Sequence, residues 1–317
     1  MTVTVLAGGV GAARFLRGLI SVVPTDEVTA IVNTGDDTTL HGLAISPDLD
    51  TITYTLAGAI DPERGWGLAG ETWRSMDALQ RYVAVRPDGS SAAPTWFNLG
   101  DRDLATHFYR TSRLAEGADL TAVTAEITQA WSLRLRILPM TNDRFRTMIT
   151  LAEAGEEVTF QDYFVRLRHS VPVSGVRFDH DAELTVESRD ALLEADVVMI
   201  APSYPLVSIG PIRALPGVDD LLAARRTTVV AVSPIVGGVA LKGPADRMLD
   251  ELGLESSVVG VARLYAPVAD VLVIDPADAH LSDEVERVGM RCVVEPSIMS
   301  TPERAAALAR ACLAVVG

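Results

Sequence analysis

Six apolar runs of strand length recur along this chain: Val3–Leu6, Val28–Val32, Val197–Ala201, Thr228–Val232, Val271–Ile274 and Cys292–Val294. Each is apolar apart from Thr4, Thr29 and Thr228, as in strands covered on both faces, where half-exposed strands would alternate. Helical spacing follows the first run, with Phe15, Leu16 and Leu19 sharing one face of a helix over about 12–21. Ser46-Pro47 opens another, carrying Leu49, Ile52, Leu56 and Ile60 at helical intervals. Further helical stretches lie near 244–252, 278–288 and 302–315. Strands alternating with helices predict an α/β fold: a Rossmann-like, doubly wound, mainly parallel sheet.

The middle of the chain breaks this alternation. Residues 62–171 hold most of the aromatics, Trp66, Trp73, Trp96, Phe97, Phe108 and Trp131 among them, and three successive helical patterns at 71–82, 103–116 and 121–131. The expected division is a core of residues 1–61 and 172–317 with a largely helical insertion at 62–171.

Charge and compartment narrow the partners. The 317 residues carry 42 acids against 27 basic groups, a net charge of −15, which argues against a nucleic-acid or anionic-membrane surface. A phosphate ligand must therefore find a local positive site. The start Met-Thr-Val-Thr-Val-Leu lacks a basic n-region, and no apolar run approaches the ~20 residues of a membrane span. Cys292 and Cys312 lie in apolar segments and read as buried thiols. A cytoplasmic protein is expected.

Several motifs carry chemistry. Gly8-Gly9-Val10-Gly11 joins a strand to a helix, where backbone amides and the positive helix end can face a phosphate; a tight structural turn is the alternative. The dinucleotide fingerprint is imperfect, because Arg14 stands where Gly or Ala is expected. Lys242, the one lysine among the 27 basic residues, follows Ser233, Gly237 and Gly238 and precedes Gly243. A point charge among glycines suits an anion.

Asn33-Thr34-Gly35-Asp36-Asp37 follows the second strand, and tandem acids there suit a hard cation such as Mg²⁺. Asp48 and Asp50 add carboxylates at a helix start, about 200° apart on a regular helix, so both cannot face one point. Each also reads as a routine acid stabilising a helix N-terminus. Asp103 and His107 share a helix face, as a base and its orienter or as a surface pair. His41 has the same ambiguity. Arg134, Arg136, Arg144 and Arg146 bracket Pro139–Asp143, making either a basic face for an anion or solvated strand edges.

Taken together, Leu6–Arg14, Val32–Asp37, His41–Thr51, Gly100–His107, Ile137–Asp143, Ala201–Ile212 and Ser233–Met248 resemble the 2-phospho-L-lactate transferase family of coenzyme F-420 biosynthesis. Tyr204 stands where members usually carry Asn, and Asn142 where they usually carry Asp. The resemblance implies transfer of a phosphorylated three-carbon acid from a guanosine-diphosphate-activated donor to the ribityl hydroxyl of a deazaflavin alcohol. GMP leaves. Bacterial members generally take the phosphoenolpyruvate-derived donor, and archaeal ones the 2-phospho-L-lactate version.

Carried onto this chain, the resemblance implies catalytic roles for Asp37, Asp50 and Lys242, with Mg²⁺ on Asp37, Asp48 and Asp50. It implies nucleotide and phosphate contacts at Gly9, Gly11, Ser203, Ser208, Gly210, Ser233, Gly237 and Gly238. Asn33, Trp66, Trp96, Asp101 and His107 would meet the deazaflavin, and a homodimer is expected. Two rival readings stay open: a non-catalytic nucleotide-sugar-binding protein of the same fold, and an NAD-dependent oxidoreductase.

Overall fold

A computed structural model describes residues 1–241 and 245–316. Seven parallel strands form the central sheet: β1 Val3–Ala7, β2 Val28–Val32, β3 Arg136–Pro139, β4 Val197–Ile200, β5 Val229–Val232, β6 Val271–Ile274 and β7 Arg291–Val294. Their spatial order is β3-β2-β1-β4-β5-β6-β7. The chain thus builds outward from β1, returns, and builds the other way, leaving a switch point between β1 and β4.

The sheet is held by two apolar layers of opposite parity. Val3, Val5 and Ala7 of β1 join Val197, Met199, Val230 and Val232 on one face, together with Phe15, Leu16 and Leu19 of helix α1 (Gly9–Leu19). Leu6, Ile31, Val198, Ile200, Ala231 and Leu272 fill the other. Each large side chain so buried contributes about 1.5–3 kcal/mol. Helix α1 also packs against the helix Pro302–Ala314, and Gly18 makes that crossing close: a Cβ there would meet Ala305 backbone carbon at 2.3 Å. Among the described residues no helix is long and apolar enough to cross a membrane.

Helix α1 starts at Gly9, three residues before the sequence-based start at Ala12. Gly8 caps it in an extended conformation, and Gly9 takes a left-handed φ of 70°. The glycine turn is therefore folded into the first helical turn.

The expected insertion needs correction. Helix α2 (Pro47–Leu56) stops short of Ile60, which bridges to Leu68. Helices α3 (Arg74–Val83), α4 (Asp103–Ala115) and α5 (Leu120–Ala130) lie close to their expected spans, but the chain then rejoins the sheet as β3, paired in parallel with β2 from Thr29↔Arg136 to Val32↔Pro139. It leaves again to form a small antiparallel sheet: the strand Phe145–Leu151 lies between Glu157–Thr159 and Val173–His180. The boundary at 171 cuts this second sheet. Two excursions leave the core, one helical and one of strands. The alternating arginines suggested a strand here, but its place in the central sheet was not anticipated, because Arg136 and Pro139 bound only two apolar residues between them.

Candidate active site

A cavity of about 930 Å³ opens beyond the carboxyl ends of β1, β4 and β5, at the switch point where open α/β sheets hold ligands. Gly8–Gly11, Ser203, Ser208 and Ser233 line it from the core. Trp66, Trp96, Phe97 and His107 line it from the helical excursion, and Phe160, Gln161, Phe164 and Arg168 from the strand excursion. Arg64 sits over the Trp66 ring at 5.4 Å and the Trp73 ring at 5.3 Å, stiffening the loop that carries Trp66.

Acids form one wall. Asp36, Asp48 and Asp50 line this cavity. Asp37 opens instead on a smaller chamber of about 310 Å³, and Asp36 lines both. Ser46 occupies the N-cap of α2, yet its Oγ donates to Asp37 Oδ2 at 2.6 Å and makes no cap bond. Asn33 Nδ2 donates to Asp48 Oδ2 at 3.0 Å. Asp50 turns the other way, as the helical angle demands, and accepts from both Arg110 terminal nitrogens, Nη1 at 3.1 Å.

Arg110 is 2% exposed and is the cluster's guanidinium. Its Nη1 lies 3.3 Å from His107 Nδ1, while His107 Nε2 lies 3.4 Å from Asp103 Oδ2. Tyr54 donates its hydroxyl proton to Asp103 Oδ1 at 2.6 Å. The Asp103–His107 pair is thus buried, and the surface-pair reading falls: Leu104, His107 and Arg110 share the inward face of α4.

The electrostatics are lopsided. Burial pushes Asp36 and Asp37 well above the usual carboxylate range, and for Asp36 the charges of Asp48 and Asp37 add to it. Burial likewise raises Asp48 to about 6, against the hydrogen bond from Asn33. Asp36 Oδ1 and Asp37 Oδ1 are buried without a hydrogen-bond partner among the described residues. Carboxylate oxygens left over in this way are the hard ligand type that a divalent ion such as Mg²⁺ takes. Among the described residues the one group whose ligand atoms converge within 4.8 Å is Asp50, Asp103 and His107, and Arg110 already neutralises Asp50.

The other anticipated residues divide. Gly9, Gly11, Ser203, Ser208, Ser233, Trp66, Trp96 and His107 reach the large cavity. Ser203 Oγ donates to Gly8 carbonyl oxygen at 2.8 Å, tying the β4 loop to the start of α1. Lys242 lies outside the described residues. Gly237 and Gly238 do not line the cavity: at φ 61° and 77° they form the two-residue turn between the short strands Ile235–Val236 and Val239–Ala240. Gly237 N–H is already committed to Asp278 Oδ2 at 2.8 Å.

Gly210 also falls outside; it starts a short helix against Phe178 and Pro205. Asn33 is wholly buried beneath the floor, holding Asp48 and accepting from Gly35 N–H, and has no surface for a ring. Asp101 sits away from the cavity and accepts from Arg74 and Ser75 N–H, both at 3.0 Å, so it serves the start of α3. His41 and Gly42 form a turn between Thr38–Leu40 and Leu43–Ile45 with φ of 55° and 76°. Arg110, Tyr54 and Gln161 were missed. The i+3 spacing of Arg110 from His107 was the available signal for the first.

A doubly wound sheet whose switch-point crevice joins a glycine-rich helix start to an acid cluster and an aromatic wall defines a Rossmann-like ligand-binding α/β protein. The chain belongs to the 2-phospho-L-lactate transferase CofD family, whose pattern matches residues 3–299. It is 42% identical over 321 aligned positions to the phosphoenolpyruvate transferase of Kitasatospora aureofaciens, covering 99% of this chain and 98% of that one. The phosphoenolpyruvate transferase of Mycobacterium ulcerans is 40% identical, covering 100% and 99%. Protein BH3568 of Bacillus halodurans, a crystal structure, superposes with a TM-score of 0.62 over 98% of this chain and 99% of that one; at 16% identity it speaks to the fold alone.

Proposed function

We propose that this protein is a phosphoenolpyruvate or 2-phospho-L-lactate transferase of coenzyme F-420 biosynthesis, taking the phosphorylated acid from a guanosine-diphosphate-activated donor to a deazaflavin alcohol. The carrying observation is a single cavity whose two ends differ in chemistry and meet at a buried acid cluster. The relatives' printed names favour phosphoenolpyruvate as the group transferred.

The nucleotide end is the core side. Gly9 and Gly11 at the start of α1 present amides and the helix's positive end to a diphosphate, with Ser208 and Ser233 beside them. The planar acceptor lies against Trp66, Trp96 and Phe97. Asp37 and Asp48 would hold Mg²⁺, which when bound neutralises charge on the diphosphate. Arg110 fixes Asp50 and so sets the cluster's geometry.

The acceptor hydroxyl oxygen forms a bond to the phosphorus that bears the three-carbon acid, and the bond from that phosphorus to the GMP oxygen breaks. The hydroxyl proton passes to the ionised carboxylate of Asp36, which lines the cavity beside Asp48. Positioning and charge neutralisation carry such a transfer.

The test is mass spectrometry of a reaction holding the protein, Mg²⁺, the deazaflavin alcohol and freshly made donors. Phosphodiester product with matching GMP release, lost on chelation, is expected. Absence of product from both donors with the protein folded would overturn the reading.

A further inference from the structure

An in-line displacement at phosphorus puts the attacking hydroxyl and the departing GMP at opposite apical positions. The third organic substituent, the three-carbon acid, is equatorial. It must therefore project sideways from the line joining the two ends of the large cavity, and a lateral compartment has to receive it.

The smaller chamber meets this requirement. It lies behind a partition shared with the large cavity and formed by Asp36, Ile45, Phe160 and Gln161, with Gln161 Nε2 donating to Asp36 carbonyl oxygen at 3.2 Å. At about 310 Å³ it sits at the lower end of the ~300–1,000 Å³ typical of small-molecule sites. Asp36 lines both spaces and Asp37 and Arg110 line this one, so the chamber adjoins the acid cluster.

Its walls suit a short carboxylic acid. Arg144 and Arg146 flank Phe145 at its rim, both exposed and neither in a salt bridge among the described residues. In a chain of net charge −15 two unneutralised guanidiniums side by side form a local anion site. Asp143 shares the rim, its Oδ2 accepting from Glu183 N–H at 3.3 Å, and offsets part of that charge. Inside, Thr34 and Thr147 are 3% and 1% exposed, and both hydroxyls lack a hydrogen-bond partner among the described residues. Leu114 and Phe145 supply apolar wall for a terminal carbon.

We propose that this chamber receives the three-carbon acid of the donor, with Arg144 and Arg146 as the specificity-determining residues that take its carboxylate and the Thr34 and Thr147 hydroxyls completing the site. The inference rests on the transferase reading above, which supplies the donor.

The test compares wild type with R144A/R146A, R144K/R146K and T147V in three measurements: KM for the donor, KM for the deazaflavin alcohol, and Kd for GDP, which lacks the acid. The double alanine variant is expected to raise donor KM on the order of tenfold. T147V should raise it less, and the lysine variant should recover part of the loss. GDP affinity and acceptor KM should stay unchanged, and the preference between phosphoenolpyruvate-derived and phospholactate-derived donors should shift. An unchanged donor KM, or equal weakening of donor and GDP, overturns the inference and leaves the transferase reading standing. No product from wild type overturns that reading first.

Discussion

Gly11 sits against the carbonyl of Pro202: a Cβ built on it would lie 2.3 Å from that oxygen. The start of α1 and the loop after β4 therefore touch backbone to backbone at the cavity floor, and Ser203 reinforces the contact through Gly8. Gly11→Ala must push them apart. A loss of about 1–3 kcal/mol in urea unfolding is expected, together with weaker GDP binding, measured by calorimetry. Unaltered stability and affinity would show that the contact is dispensable.

Arg110 and Asp50 are both buried, and removing one partner strands the other. Arg110→Met is expected to cost about 3–5 kcal/mol, while Arg110→Met/Asp50→Asn recovers part of it. A double-mutant cycle in urea gives the coupling directly. Additive losses would mean the pair contributes nothing beyond its separate side chains.

Mg²⁺ should stabilise the protein without any substrate, because the cluster holds unpartnered carboxylate oxygens at Asp36 and Asp37. At a hundredfold excess over its Kd the gain is about 2.7 kcal/mol, visible as a rise in Tm. Asp37→Asn should abolish that rise and lower turnover by about two orders of magnitude or more. A Tm rise of wild-type size in that variant would remove Asp37 from the metal site.

Cys312 offers a pH-dependent readout remote from the cavity. Burial pushes its thiol from 9.0 up to about 12. The raised folded value means this contribution to stability is complete below pH 9 and is lost as pH climbs from 9 towards 12. Cys312→Ala should flatten that part of the stability profile. In the native state a thiol reagent at pH 8 should leave Cys312 untouched, and denaturant should expose both cysteines. Rapid native labelling of Cys312 would contradict its burial.

The doubly wound core was legible because strands buried on both faces leave unbroken apolar runs, as in Val197–Ala201. The membership of β3 in that core was not, since alternating arginines read as an edge strand and only Ile137 and Leu138 mark it as buried. At the site, the tandem acids after a strand and the acids at a helix start do meet at the cavity walls. Gly237-Gly238 forms a hairpin turn, which asks for the same residue as a phosphate loop. Arg110 escaped because arginine on a helix normally extends its head to water, and only the packed structure shows it turned inward. Asp101 shows the converse: an exposed acid in a motif-rich segment whose partners are backbone amides of another helix.

Strand β3 closes one side of the central sheet, and its design limits how copies of this protein can associate. It is four residues long, opens on a charged side chain and ends on Pro139, which has no N–H to donate, while Ser188 Oγ occupies the Pro139 carbonyl at 3.1 Å. Such a border gives an incoming strand almost no ladder to extend. Self-association there by sheet growth, the first step of fibrillar aggregation, is blocked by the same few residues that return the chain to its core between two excursions.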